Sequence, residues 1–119
     1  MSDLNAISNR LREFAADRGW ENFHTPRNLV LALVGEVGEL AELVQWRSDA
    51  EVLTLVRESP RAVEDELADI AIYLVRLADV LGVDLGAAIG AKIVTNADRY
   101  PVAEVYGSAE RAAEREGAS

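Results

Sequence analysis

The stretch LALVGEVGELAELV, residues 31–44, decides the fold of this chain. Its leucines, valines and alanines fall on most sides of a helix, which is typical of a helix that is covered almost all round. The same stretch nevertheless contains Glu36, Glu39 and Glu42. A carboxylate that is buried without a partner either loses roughly several kcal/mol of solvation or takes up a proton. The stretch therefore predicts an interior helix whose acids need a partner.

The three glutamates point to different sides of this helix when its residues are projected at about 100° each. Glu36 lies between Leu29 and Leu43, in the middle of the apolar surface, and Glu39 lies about 60° away. Glu42 faces a smaller and more polar side, and it needs no special explanation. Because residues three apart share a helix face, Glu36 and Glu39 can converge on one hard cation such as Mg²⁺, which prefers oxygen ligands.

A second acid pair with the same spacing, Glu66 and Asp69, lies in the stretch EDELADIAIYLVRLADVL. Tyr73 follows Glu66 by seven residues and Trp46 follows Glu39 by seven, so each helix is expected to carry an acid pair and an aromatic ring on one stripe. Two such helices face to face would form a four-carboxylate cage with aromatic walls. The simpler alternative is a solvent-facing stripe made of Asp65, Asp69, Arg76 and Asp79.

Helical periodicity and capping signals predict an all-α chain. The expected fold is a four-helix bundle plus one short helix, with residues 1–101 as a single helical domain and residues 102–119 as a polar tail, flexible or weakly helical. The predicted helices are 3–18 with Asp3 as N-cap, Thr25-Pro26 to Trp46, a short helix 49–57 behind the capping box SDAE, Ser59-Pro60 to Gly82, and Asp84 to Arg99.

Two further features concern partners. Lys92, Asn96 and Arg99 follow one another on a single stripe of the last helix, which could hold phosphates or could be a solvated face.

A helix that is apolar on most faces needs cover on most sides, and four helices of this length offer little of it. The chain is therefore expected to form an oligomer.

Composition restricts the class of function. The 119 residues include no cysteine and one histidine, His24, and the formal net charge is −9. These values exclude disulfides and thiolate chemistry and argue against a duplex nucleic-acid binder.

The absence of a long uncharged stretch and of a basic-then-apolar leader predicts a cytoplasmic protein without a membrane span. A di-iron carboxylate bundle needs Glu-x-x-His motifs and a P-loop needs its lysine motif; the sequence has neither.

The segments GEVGELAEL and EDELADIAIYL are similar to the E-x-x-E…E-x-x-D signature of the MazG-like all-α nucleoside triphosphate pyrophosphohydrolases. The segments WENFHTPRNL, ALVGEVGELAEL.QW, DIAIYLVRLA, VDL and K…N..RYP resemble the dCTP pyrophosphatase branch of that family. Together they cover about residues 11–101.

The resemblance implies Mg²⁺-dependent hydrolysis of a nucleoside triphosphate, first of all dCTP or a modified dCTP, to the monophosphate and pyrophosphate, with Mn²⁺ able to substitute. It implies a homo-oligomer, most simply a tetramer built as a dimer of dimers. Glu36 or Glu39 would orient or deprotonate the attacking water. The implied metal ligands are Glu36, Glu39, Glu66 and Asp69. The implied substrate-binding residues are Trp20, His24, Trp46, Tyr73, Lys92, Asn96, Arg99 and Tyr100.

The sequence departs from the family pattern at a few positions. The wider family often has a second acid at the position of Gly35, and the dCTP branch resembles this sequence there. Leu11 stands where the dCTP branch has a histidine near the base. Ala97 and Asp98 replace arginines beside the asparagine of the last motif. The preferred base therefore stays open.

Two alternative functions also stay open. One keeps the fold and changes the substrate to dUTP, a damaged nucleotide or a phosphoribosyl-pyrophosphate intermediate. The other is a non-catalytic helical oligomerisation module, in which the interior acids pair with arginines across an interface. The arginines available for such pairing are Arg27, Arg47, Arg61 and Arg76.

Overall fold

The structure, a computed structural model, describes residues 3–108, and this part of the chain contains helices and no strand. The all-α prediction is confirmed. The helices are α1 (Leu4–Asp17), α2 (Pro26–Val44), α3 (Asp49–Glu58), α4 (Pro60–Val80), α5 (Leu85–Arg99) and α6 (Val102–Val105), with a 3₁₀ turn at Glu21–Phe23 between the first two.

The five predicted helices correspond to α1–α5, and their ends agree to within two residues. The predicted tail, residues 102–119, begins with the short helix α6. Residues 109–119 of that tail lie outside the described part of the chain.

Local capping signals fix most of the helix starts. The side chains of Asp3 and Thr25 each accept a hydrogen bond from a backbone N–H of the first turn, at 2.7 and 3.2 Å. At the start of α3, Ser48 and Glu51 each accept the other's backbone N–H, which completes the predicted capping box. Ser59 makes no such side-chain bond. The side-chain cap predicted there is wrong, and α4 begins with the proline that follows.

The chain divides into two compact units, Met1–Asp84 and Leu85–Ser119. The first unit contains α1 to α4, and α4 packs most extensively against α2 and less so against α1 and α3. Its buried apolar side chains come from α1, α2 and α4 and are Ala15, Leu29, Val75 and Ala78. The second unit contains α5 and α6. The acid pairs of α2 and α4 thus belong to the two helices with the largest mutual contact.

Large apolar side chains remain exposed on α2, α3 and α4. Val34 on α2 and Leu53 on α3 are each 62% exposed, and Leu31 and Leu67 are more than half exposed. In the described chain α2 is therefore not covered on all sides. Across residues 3–108, no helix has both the length and the apolar content that crossing a bilayer requires.

Candidate functional site

Three glutamates from two helices meet where α2 packs against α4. One carboxylate oxygen from each of Glu36, Glu39 and Glu66 lies within 4.8 Å of the other two. Glu36 and Glu39 stand one turn apart on α2, where residues i and i+3 share a face, and Glu66 approaches from α4. Glu36 and Glu66 are half-buried, and Glu39 is exposed. We call these three residues the acid cluster.

The inner oxygens of the acid cluster have no hydrogen-bond partner among the described residues. Oε2 of Glu36 and Oε2 of Glu66 are both shielded from solvent and unbonded. Burial, followed by the neighbouring carboxyls of Glu39 and Glu66, raises the pKa of Glu36 to about 7. Burial also raises the pKa of Glu66. Without a cation, then, the acid cluster keeps a proton near neutral pH, because its carboxylates repel one another in a poorly solvated place.

Asp69 lies beside the acid cluster without belonging to the 4.8 Å triangle. It follows Glu66 by one turn of α4 and is half-buried. Its negative charge adds to the upward shift of the pKa of both Glu36 and Glu66. The fourth ligand role expected for Asp69 stays a prediction.

The acid cluster fits a hard divalent cation. Its ligands are all carboxylate oxygens, which Mg²⁺ and Mn²⁺ prefer, and it has no thiolate or imidazole of the kind that favours zinc. Two of its oxygens are buried and unbonded, and a cation would give both of them a partner. Such an ion would also cancel the repulsion between the carboxylates.

A cavity of about 490 Å³ adjoins these acids. Glu36 and Asp69 form one part of its wall, and the predicted residues Trp20, His24 and Tyr73 form another. Aromatic walls next to carboxylates suit a ligand with a flat, largely apolar part and an anionic part that is bound through a cation.

Three wall residues of this cavity are not among the site residues that the sequence indicates, and they are Phe14, Ile72 and Arg76. Leu11, which stands where the dCTP branch has a histidine near the base, also lies in the wall. The ring of Phe14 meets the Trp20 ring edge-to-face at 5.7 Å between centroids. The Trp20 ring in turn lies 6.4 Å from the imidazole of His24. Phe14 of α1 thus supports the aromatic wall.

The alternative of a solvent-facing stripe on α4 is wrong at Arg76. Arg76 is only 7% exposed, and its Nε donates to Nδ1 of His24 at 3.0 Å. Its Nη1 donates to Oδ2 of Asp79 at 2.7 Å. Arg12 of α1 binds the same carboxylate, with Nη2 at 2.5 Å from Oδ1. Arg76 therefore pairs with Asp79, not with the acid cluster.

The comparison with known families bears on these residues directly. The statistical model of the MazG-like family matches residues 32–114, a range that holds both acid pairs and Tyr73. The chain belongs to the MazG-like family. The likeness that the sequence motifs indicate is thus confirmed.

Similar proteins agree with this assignment. Over 99 residues the chain is 57% identical to dCTP pyrophosphatase 1 of Rattus norvegicus. This match covers 82% of the present chain and 58% of the rat protein. It is 58% identical over 100 residues to dCTP pyrophosphatase 1 of Bos taurus, covering 82% and 59%. The chain spans less than two thirds of the length of these curated relatives.

A solved structure shows the same likeness in three dimensions. The crystal structure of a pyrophosphatase from Archaeoglobus fulgidus superposes on this chain with a TM-score of 0.77 and 37% sequence identity. The match covers 85% of this chain and 94% of the archaeal one. The likeness therefore extends over the MazG-like helices and beyond the short motifs.

Five predicted substrate residues lie outside the wall of the described cavity. Trp46 follows the end of α2 and is 87% exposed. Lys92, Asn96 and Arg99 are on α5, and Tyr100 follows that helix, all in the second compact unit. The roles of these residues in the MazG-like site stay predictions.

Proposed function

We propose that this MazG-like protein is a Mg²⁺-dependent nucleoside triphosphate pyrophosphohydrolase that converts dCTP, or a modified dCTP, to the monophosphate and pyrophosphate. One observation carries the proposal. The buried, unbonded oxygens of Glu36 and Glu66 lie in the acid cluster, and the acid cluster adjoins an aromatic cavity. The choice of dCTP is supported by relatives named dCTP pyrophosphatase 1 at 57–58% identity.

Glu36, Glu39 and Glu66 would hold the cation, with Asp69 as a fourth ligand, and Mn²⁺ could take the place of Mg²⁺. When bound, the cation would supply positive charge that neutralises phosphate and polarises the phosphorus that is attacked.

The remaining steps belong to side chains of the protein. A carboxylate oxygen of Glu39 or Glu36 that is free of the metal orients the attacking water and accepts its proton. Trp20 and Tyr73 bind the base through their ring faces. Because every base has a π-face, stacking discriminates poorly, and the choice of base depends on hydrogen bonds at the cavity wall. Lys92, Asn96 and Arg99 hold the phosphate chain.

The proposal includes a homo-oligomer, a tetramer arranged as a dimer of dimers. Its support is the exposed apolar surface of α2, α3 and α4, which a second copy of the chain would cover. The cytoplasmic location stays a prediction.

A panel of ribo- and deoxynucleoside triphosphates, each assayed for pyrophosphate release with Mg²⁺ and with a chelator, tests the function. We expect release with Mg²⁺ only, and the highest kcat/KM with dCTP or its modified forms. A higher kcat/KM with dUTP or a damaged nucleotide would support the substrate alternative. If no triphosphate is turned over, and Mg²⁺ with nucleotide does not raise the melting temperature, the protein is an interaction module.

Glu36→Gln tests the acid cluster within the same assay. The amide keeps the size of the side chain and removes its charge, so we expect Mg²⁺-dependent turnover to fall by at least about a hundredfold with helicity unchanged by circular dichroism. Glu42→Gln, an exposed position on the same helix, is the matched control and should keep full activity. Full activity in Glu36→Gln would contradict the proposed metal site.

A further inference from the structure

The contact between Arg76 and His24 determines which nitrogen of the imidazole carries the proton. The guanidinium Nε of Arg76 can only donate, and it lies 3.0 Å from Nδ1 of His24. Nδ1 must therefore offer its lone pair. In a neutral imidazole the proton then belongs to Nε2.

Arg76 is itself held in place through Asp79, which a second arginine also binds. Its Nη1 is paired with Oδ2 of Asp79 at 2.7 Å, and both side chains are largely buried. The carboxylate of Asp79 also accepts from Arg12, through Nε at 3.1 Å and Nη2 at 2.5 Å. These contacts join α1, α4 and the loop before α2 into one chain of charge-assisted hydrogen bonds, in which the guanidinium has little freedom to turn.

The loop that carries His24 is also fixed. His24 follows the 3₁₀ turn directly, and the side-chain amide of Asn28 donates to the backbone carbonyl of Phe23 at 3.0 Å. The imidazole lies in the cavity wall, where the other ionisable groups are Glu36, Asp69, Tyr73 and Arg76. Burial and the positive charge of Arg76 lower the pKa of His24, which agrees with a neutral ring.

We propose that Arg76 is a positioning residue that fixes His24 as the neutral tautomer protonated at Nε2, so that His24 presents a hydrogen-bond donor to the base of the nucleotide. The ligand feature that this donor recognises is a carbonyl oxygen or an unprotonated ring nitrogen. An amino group placed at the same point would meet a second donor and be rejected. The inference about the base rests on the proposed function, whereas the tautomer does not.

The tautomer can be measured in the nucleotide-free protein. Because the chain has one histidine, two-bond ¹H–¹⁵N spectra of histidine-labelled protein show His24 alone. We expect the pattern of a neutral ring protonated at Nε2 at about neutral pH. A ring protonated at Nδ1, an even mixture of tautomers, or an imidazolium would overturn the proposal.

The variant Arg76→Met removes the donor and keeps the length of the side chain. We expect His24 to become a mixture of the two tautomers, and Arg76→Lys to restore part of the original pattern. Arg61→Met, which removes an exposed arginine of the same helix, and Arg12→Met, which removes only the outer partner of Asp79, should leave the spectrum unchanged. An unchanged spectrum in Arg76→Met contradicts the proposal.

Kinetics separate positioning from general damage to the fold. If Arg76 acts through His24, Arg76→Met should lower kcat/KM for dCTP by about tenfold, the value of one good hydrogen bond. In a His24→Phe background the same change should lower it by less than about twofold. Equal losses in both backgrounds would show that Arg76 is structural only. A protein that turns over no triphosphate yet shows the Nε2 tautomer would refute the proposed function and leave the role of Arg76 intact.

Discussion

At the scale of single residues, Glu36 is both shielded from solvent and surrounded by other carboxyls, and without a cation both conditions disfavour its negative charge. Its position on the α2 face toward α4 shields Oε2 from solvent, and its neighbours there are carboxyls. With a pKa of about 7, a large share of Glu36 is protonated at neutral pH. A metal ion binds the carboxylate form, so binding must release this proton.

Proton release on Mg²⁺ binding should therefore depend on pH. At about pH 6, below the pKa of Glu36, binding displaces the proton, whereas at about pH 8.5 the carboxylate is already ionised. Calorimetric titration in buffers of different ionisation enthalpy measures this difference, with the Glu42→Gln variant as control. Equal release at the two pH values would contradict the shift.

The stability of the metal-free protein should fall as the pH rises from about 5 to about 8. The pKa of Glu36 is higher in the folded chain than in the unfolded one, so the folded state binds more protons in this window and loses stability as they dissociate. Glu66 contributes with the same sign, and the lowered pKa of His24 with the opposite sign.

Comparison with Glu36→Gln isolates the contribution of Glu36, because both proteins retain His24. In urea titrations with a chelator, the variant should gain stability over the natural protein between about pH 5 and pH 8, and Glu42→Gln should not. Parallel pH profiles of the natural protein and Glu36→Gln would show that Glu36 is ionised in the folded state throughout.

Helical projection was sufficient to separate Glu36 and Glu39 from Glu42, because the angle between residues of one helix is fixed by geometry. The same method failed for Arg76. A stripe tells which residues share a side of the helix, but it does not tell which other element covers that side. The partners of Arg76 are His24, far away in sequence, and Asp79, which Arg12 of another helix holds.

At the scale of elements, α4 organises the first compact unit through contacts with α1, α2 and α3. Its charged residues have two separate functions. Glu66 belongs to the acid cluster with α2, and Asp79 near the end of the helix binds Arg12 of α1. The hydrogen bonds of Arg12, and less so the charge of Arg76, lower the pKa of Asp79, as expected for a carboxylate between two guanidinium groups.

Asp79→Ala should destabilise the protein far more than Arg12→Met. Loss of Asp79 leaves the buried guanidinium of Arg76 without a counter-charge, which costs about 3 kcal/mol. The side chain of Arg12 is 59% exposed, so solvent screens its charge and its removal should cost far less. Urea denaturation at neutral pH measures both values, and equal losses would contradict the burial of this ion pair.

Capping motifs predicted element boundaries well where one residue serves one helix. The capping box at Ser48 and Glu51 is of this kind, since the two residues satisfy each other. Ser59 fails because it serves two helices at once. Its backbone N–H donates to the carbonyl of Leu55 and so ends α3. Its backbone has φ −137° and ψ 66°, and its side chain makes no capping hydrogen bond to α4. A local signal cannot resolve that competition.

At the scale of the whole molecule, the exposed apolar side chains of the first unit are the dominant feature. Leu31 and Val34 on α2, Leu53 on α3 and Leu67 on α4 are all more than half exposed. Large apolar surfaces of this kind mark interfaces in soluble proteins. The sequence predicted that α2 needs cover on most sides, and it could not show which copy or element supplies the cover.

Sedimentation should show a particle several times heavier than the 12.9 kDa chain. Val34→Glu places a charge on the exposed apolar face of α2 and should shift the particle toward the monomer, whereas Asn9→Glu, an exposed polar position on α1, should not. A natural protein that sediments as a monomer at micromolar concentration would contradict the oligomer.

The position of the acid cluster has a consequence for how long the protein survives in a cell. The contact between α2 and α4 is the largest between any two helices of the first unit, and it also contains the carboxylates that repel one another. Under the proposed function, a divalent cation bound at the acid cluster would bind the folded chain only, and would therefore protect it from local opening and from proteases. The supply of that cation would then set how long the folded chain persists as well as how fast it turns over substrate.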